Sequence, residues 1–303
     1  WIRGHKDLPL RIYQTVNSYR YETKQTKPLV RTREISVWHE IHTAHATIEE
    51  ATREMQLHMH FYDQLFTACA LPIFKVQKPI WECFPGAAGA VEYYNTTQDA
   101  RVMENGSVNN LGQAYAKKFN IKFLDEKGKE QYVWQVCTGN GARLLGGAFM
   151  VHGDDRGLIL PPKIAPVHAV IIPIPIKGKE QTVLAEAKKL HEKLHKAGIL
   201  VTLDDKDNSP GSKFYEYEIK GIPLRIEIGP KDIAAKTVVV VRRDTYEKKV
   251  IPLTTLDREI PKLLDQIQHN LLQKATQLLH SQFKEARTVE DLRKNLQQKK
   301  WQQ

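Results

Sequence analysis

Arg20, Tyr21 and Glu22 stand before a second run, Arg31, Thr32, Arg33 and Glu34, with the basic, turn-prone KQTKP between them. On a strand, residues two apart share a face. An Arg-x-Glu there presents a guanidinium that can neutralise a phosphate beside a carboxylate that can accept from an amine. The two lysines of KQTKP lie within reach of a polyphosphate or an RNA end. The same spacing equally makes a cross-strand ion-pair ladder on a solvent face. Downstream, HEIHTAHAT brings His39, His42 and His45 close together. A His-x2-His pair needs at least one further His, Cys or carboxylate to hold zinc, and no partner motif is visible, so no metal site is assigned. Three glycine-rich stretches follow: FPGAAGA (84–90), NGSVNNLGQ (105–113) and GNGARLLGG (139–147), the last with a lone Arg143. None follows a strand and opens a helix in Rossmann or P-loop spacing.

These residues need elements to hold them. Residues 8–46 alternate apolar and polar positions around KQTKP and predict a hairpin or small antiparallel sheet. Thr47 to Glu50 has capping-box spacing. Beyond it Ile48, Ala51, Met55, Met59, Tyr62, Phe66 and Cys69 recur every three or four residues, predicting a helix to about residue 70 that Pro72 ends. Strand-like segments with glycine turns lead to LILPP (158–162). At Pro166 the rhythm changes. HAVIIPIPI (168–176) reads as a strand buried on both faces. Alternating helical and strand-like segments to residue 242 predict an α/β unit with a largely parallel sheet. An amphipathic helix from Leu256 to about Phe283 and a polar tail follow. The expected organisation is a strand-rich part over 1–163, an α/β part over 164–255, and a helical start of a further domain or tail over 256–303. The proline-rich linker lies near 160–167.

A chain of 303 residues with 41% hydrophobic and 26% charged residues is that of a folded protein with more than one core. No window approaches the roughly 18 apolar residues of a membrane span, so no membrane partner is expected. The opening WIRGHKDLPL has neither a Met nor a signal-peptide core, so the chain is expected to begin inside a longer gene product. Three scattered cysteines fit a reducing, cytoplasmic compartment. The formal charge of +10 divides into +3 over residues 1–163 and +7 over 164–303. That distribution suits a polyanion on the second half, or simply a basic surface.

In order and spacing, DLPLRIYQTVNSYRYETKQTKPLVRTREI, EIHTAHATIEEA, FPGA, NNLGQ, VHGDDRGLILPP, GIPLRIEIGP and VVRRDT resemble the archaeal/eukaryotic-type prolyl-tRNA synthetases, from residue 1 to about 283. The resemblance implies an α+β class II catalytic domain, an antiparallel sheet with helices, followed by an α/β anticodon-binding domain with a mixed five-stranded sheet. It implies an ATP-dependent ligase joining proline to tRNA(Pro), with Mg²⁺ and a homodimeric state. Residues 17–35 would be the two motif 2 strands and their loop. By resemblance, Arg20 binds the α-phosphate, Glu22 accepts from the adenine amine, and Arg31 and Arg143 meet the γ-phosphate. Ile35, Glu104 and Ser107 complete the ATP site. Trp38, Glu40, His42, Asn109 and Thr138 line the proline pocket, and Lys206, Lys213, Arg225 and Lys231 are candidates for anticodon contact. Phe214 and Tyr217 fit either base stacking or a helix core, and Arg242 and Arg243 either solvent or RNA.

Several positions depart from the family pattern. Glu104 stands where relatives carry Gln, a carboxylate near ATP that needs Mg²⁺ or an Arg to compensate it. Asn109 replaces His, Gly141 and Ala142 replace two hydroxyl residues before Arg143, and Thr138 replaces a bulky aromatic. The family's motif 1 and its Thr-x-Glu loop are expected upstream of Trp1. The departures leave open a synthetase-like protein that binds tRNA or nucleotide without charging, or one that activates another amino acid.

Overall fold

The computed structural model describes residues 2–21, 24, 26–32 and 34–298. The first unit runs β1 (Leu10–Tyr19), β2 (Glu34–His45), α1 (Ile48–Ala68), β3 (Phe74–Gln77), β4 (Gly89–Thr96), β5 (Val102–Gly112), α2 (Ala114–Phe119), β6 (Lys122–Leu124), β7 (Glu130–Tyr132), β8 (Trp134–Asn140) and α3 (Arg143–His152). Six strands form one antiparallel sheet in the order β1-β2-β8-β5-β4-β3, and β6 and β7 pair separately. The β1–β2 hairpin carries the alternating segment seen in the sequence, with Lys27 and Pro28 in its loop.

α1 opens where the capping box predicts: the Thr47 hydroxyl accepts from the Glu50 N–H, and the Glu50 carboxylate accepts from Thr47 N–H. Its end differs in detail. The helix stops at Ala68, and Ala70 turns the chain with φ +50°, ahead of Pro72. Tyr62 and Phe66 of α1 pack with Tyr93, Val108, Val136, Leu144 and Ala148 into the first core. One face of the sheet is therefore covered by helix, and the other is left to form a site.

The second unit runs β9 (Ala169–Pro173), α4 (Glu180–Lys196), β10 (Val201–Leu203), α5 (Pro210–Lys220), β11 (Leu224–Ile228), α6 (Pro230–Ala235), β12 (Thr237–Arg242), β13 (Lys248–Pro252), α7 (Leu256–Gln282) and α8 (Val289–Gln298). Its sheet has five strands in the order β10-β9-β11-β12-β13. β9 pairs parallel with β10 and β11, whereas β12 and β13 add antiparallel. The sheet is thus mixed rather than largely parallel. The short Arg242–Lys248 connection between β12 and β13 leaves room for no crossover helix, so those two strands must run antiparallel. α7 is no separate tail. Leu256, Ile260, Leu264 and Ile267 belong to the second core, while Ala275 reaches into the first. Among the described residues no helix is long and apolar enough to cross a membrane.

Candidate active site

A cleft of about 300 Å³ opens on the sheet face opposite α1. Its floor is the middle of β2, β8 and β5, presenting Trp38 and Glu40, Cys137 and Gly139, and Ser107 and Asn109. Glu40 and Ser107 flank Gly139 in register, and Asn109 lies opposite Cys137. Period-two geometry puts these residues on one face and Val108, Val136 and Thr138 on the other, toward α1.

Two β-bulges decide what else enters the cleft. Between Val16 and Ser18 the β1–β2 register shifts by one residue, and Val37 sits there with φ +62°. Without that extra residue Ile35 and Trp38 would face opposite ways; with it, both line the cleft. Asn105 is the extra residue on β5, where the register with β4 shifts at Tyr93 and Tyr94. It brings Glu104 to the same face as Ser107 and Asn109.

The indole of Trp38 lies on a stretch without side chains. A Cβ on Gly139 would fall 2.7 Å from Trp38 Cζ2, and one on Gly141 2.9 Å from Cε3. Gly141 therefore does not widen the cleft; it makes room for Trp38.

The loop after β1 supplies a second wall with Arg20, Leu29, Val30, Arg31 and Thr32. Lys27 and Arg31 exchange backbone hydrogen bonds of 2.8 and 3.0 Å, which closes the turn. At the head of α3, Arg143 Nε donates to the Val30 carbonyl at 2.8 Å. Arg20, Arg31 and Arg143 thus converge on one cleft from two distant stretches of chain. Arg143 Nη1 also lies 3.5 Å from Glu104 Oε2, so an arginine offsets the unexpected carboxylate.

Further along β2, Glu40 Oε1 meets His42 Nε2 at 3.0 Å. His42 therefore reaches the cleft through Glu40. Burial, and after it the Glu40 carboxylate, pushes the Cys137 thiol up to about 12, which keeps it neutral. His39 and His45 bond to Thr15 and Thr43, and His42 to Glu40, so the three histidines do not converge.

Other expected positions are corrected. Thr138 does not line the cleft: its hydroxyl lies 2.8 Å from Nδ1 of His58 on α1. Burial holds the His58 imidazole below its ordinary value, although Glu54 lies 3.5 Å away. Glu22 lies outside the described residues. Phe84, Cys137 and Asn140 line the cleft without having been expected there. Phe84 heads the FPGAAGA stretch, which was the one available signal. Nothing in the sequence distinguishes Cys137, and Asn140 owes its place to a 2.9 Å bond from Nδ2 to the Asn105 carbonyl.

On the second unit, Lys206 and Lys231 are exposed, Lys206 with Glu216 at 3.3 Å. Lys213 is not a surface cation. It is buried, with Nζ 3.0 Å from the Asp204 carbonyl and 3.4 Å from its carboxylate. Leaving that buried pair would cost about 3–5 kcal/mol, more than one RNA contact returns. Arg225 is likewise held inside, 3.0 Å from Glu218 and from Glu227 and stacked 4.0 Å over Phe214. Tyr217 is buried against Val170 and Ile172, and Phe214 packs there too. Arg242 and Arg243 are held in ion pairs, with Asp244 and Asp154 respectively.

Comparison with known proteins places this geometry. A family profile described as the tRNA synthetase class II core domain (G, H, P, S and T) matches residues 1–152, and one described as an anticodon binding domain matches residues 168–263. The proline–tRNA ligase of Thermococcus kodakarensis is 45% identical over 291 residues, 96% of this chain and 60% of its own length. That of Methanococcoides burtonii is 41% identical over 297 residues, 98% of this chain and 62% of its own. The chain therefore spans about three-fifths of these relatives. A crystal structure of prolyl-tRNA synthetase from Cryptosporidium parvum, complexed with L-proline and AMP, superposes with a TM-score of 0.92 at 38% identity. It matches 99% of this chain and 62% of its own.

Proposed function

The chain belongs to the class II tRNA synthetases, and we propose that it is of their prolyl branch, activating proline with ATP and transferring the prolyl group to tRNA(Pro). The observation that carries the reading is the convergence of Arg20 and Arg143 on one cleft with Trp38 and Glu40. The neighbour complexed with proline and AMP supports the same ligands here. The proline carboxylate attacks the α-phosphorus, the bond to the bridging oxygen breaks, and pyrophosphate leaves. Arg20 serves the α-phosphate, and Arg31 and Arg143 the far end of the triphosphate, where aimed charge lowers the barrier. Ile35 lies under the adenine. Trp38 offers a flat apolar wall to the pyrrolidine ring, and Glu40, oriented by His42, accepts from its ammonium. The terminal ribose hydroxyl of the tRNA then attacks the adenylate carbonyl and AMP departs.

No three His, Cys, Asp or Glu side chains cluster as a metal cage among the described residues. A Mg²⁺ ion bound together with ATP would need few ligands from the protein. Glu104 and Ser107 are among the oxygen donors of the cleft that would hold it, and the ion would disperse phosphate charge. Lys206 and Lys231 are the exposed cations of the original four for the anticodon. A homodimer fits the exposed edge strand β1, where Tyr13 and Tyr19 are 71% and 70% exposed. Cytoplasmic action fits the three free cysteines.

A second reading, tRNA binding without activation, is favoured by the pairing of Glu104 with Arg143. Exchange of labelled pyrophosphate into ATP with a panel of amino acids separates the two. Exchange with proline alone supports the proposal. Exchange with none, alongside retained tRNA binding, supports the second reading.

A further inference from the structure

The two units touch over one face, in which Ala70 and Ile159 of the first are buried in the core of the second. On one side α7 lies across both cores, and Gln268 Nε2 donates to the Thr67 and Ala68 carbonyls at the end of α1, 3.1 Å each. On the other, the chain leaving α3 turns at Asp154, and there Arg243 closes a fork on the carboxylate at 2.6 and 2.8 Å. Arg243 is 3% exposed, and its Nε donates to the Glu218 carbonyl at 3.0 Å. The Tyr246 hydroxyl donates to Asp154 at 3.0 Å, and Arg156 stacks 4.5 Å over the Tyr246 ring. Backbone follows suit: Leu158 N–H donates to Ile219 and Leu160 N–H to Gly221, at 3.0 and 3.1 Å. Gly157 and Gly221 permit that approach, since a Cβ on either would fall 2.5 or 2.7 Å from the facing chain.

We propose that Arg243, forked on Asp154, is a positioning residue that fixes the second unit's orientation toward the cleft and so governs transfer to tRNA, not activation of the amino acid. Within that face the fork is the buried, bidentate ion pair, so its loss leaves Asp154 without its cation and loosens the face at the turn that follows α3. α3 itself is held independently, by Leu144, Ala148 and Val151 in the first core and by His152 on the Cys69 carbonyl. Arg143 therefore keeps its place when the fork is lost. A substrate that spans both units, as a tRNA does, must find them at one fixed spacing, because misplacement by an ångström costs rate steeply. The inference rests on the proposed ligase reading.

The test uses Arg243→Gln and Arg243→Lys in the protein, with proline-dependent pyrophosphate exchange, tRNA charging and small-angle scattering on the same preparations. Lys keeps the charge but cannot form the fork. Expected are exchange within about twofold of wild type, kcat/KM for tRNA lowered about tenfold or more in both variants, and a broadened distance distribution. Equal losses in exchange and charging would mark a role in folding only, and unchanged charging would overturn the proposal. Should wild type itself exchange nothing with proline, the ligase reading fails. Scattering then still decides: an unbroadened distribution in the variants rejects the positioning role.

Discussion

At the scale of single residues, the cleft is defined as much by missing side chains as by present ones. Gly139 and Gly141 clear the ground on which Trp38 lies, and Gly106 leaves space for the Tyr62 hydroxyl, which donates to the Gly139 carbonyl at 2.6 Å. Gly139→Ala is therefore expected to push the indole off β8. The KM for proline should rise about tenfold or more while the fold survives, measured by steady-state exchange and tryptophan fluorescence. An unchanged KM would mean that the indole is not the wall of the amino-acid pocket. Glu104 is the second residue that decides something. If its carboxylate meets the metal on the phosphates, Glu104→Gln should raise the Mg²⁺ concentration for half-maximal exchange several-fold. No change in that titration would leave Glu104 only its ion pair with Arg143.

At the scale of elements, the β1–β2 hairpin and α1 were legible because alternation and a capping box are local signals. The bulges at Val37 and Asn105 were not. A one-residue shift in pairing depends on the partner strand, which the local pattern does not contain. Ile35 beside Trp38, and Glu104 beside Ser107, came from family resemblance; strand parity alone would have separated them. Lys213 and Arg225 failed for a related reason. A basic, aromatic segment looks RNA-facing until Asp204, Glu218 and Glu227 are seen to claim its cations. Phe84 is in the cleft because its loop folds over the sheet, which no periodicity encodes. Deleting Val37 should reverse the faces of the residues before it and lower exchange at least a hundredfold. Val37→Gly, which suits a positive φ, should keep activity and change stability by no more than about 1 kcal/mol in denaturant unfolding. Full activity in the deletion variant would refute the parity argument.

At the scale of the whole molecule, two cores are joined by α7, by the Asp154 turn and by buried groups between them. His152, at the end of α3, donates from Nε2 to the Cys69 carbonyl at 3.1 Å, and burial holds its imidazole down at about 4. The unfolded chain then binds more protons than the folded one between about pH 6.5 and 4. Stability from this group is complete above the unfolded value and is lost as pH falls toward 4, on the order of 3 kcal/mol. His152→Gln should flatten that part of the stability profile in urea unfolding, and an equally steep profile would contradict the assignment. The architecture of both sheets was legible in outline, since strand-rich and alternating rhythms differ, and the mixed five-stranded sheet agrees with what the family resemblance implies; the rhythm alone read it as largely parallel because it passed over β13, a short edge strand after a tight connection. Activation of the amino acid depends on the arginines that meet in the cleft. Its most direct test is labelled pyrophosphate exchange into ATP by wild type, Arg20→Ala and Arg143→Ala side by side. Proline-dependent exchange that falls at least a hundredfold in each variant is the predicted result. Exchange that survives both substitutions undiminished would contradict it.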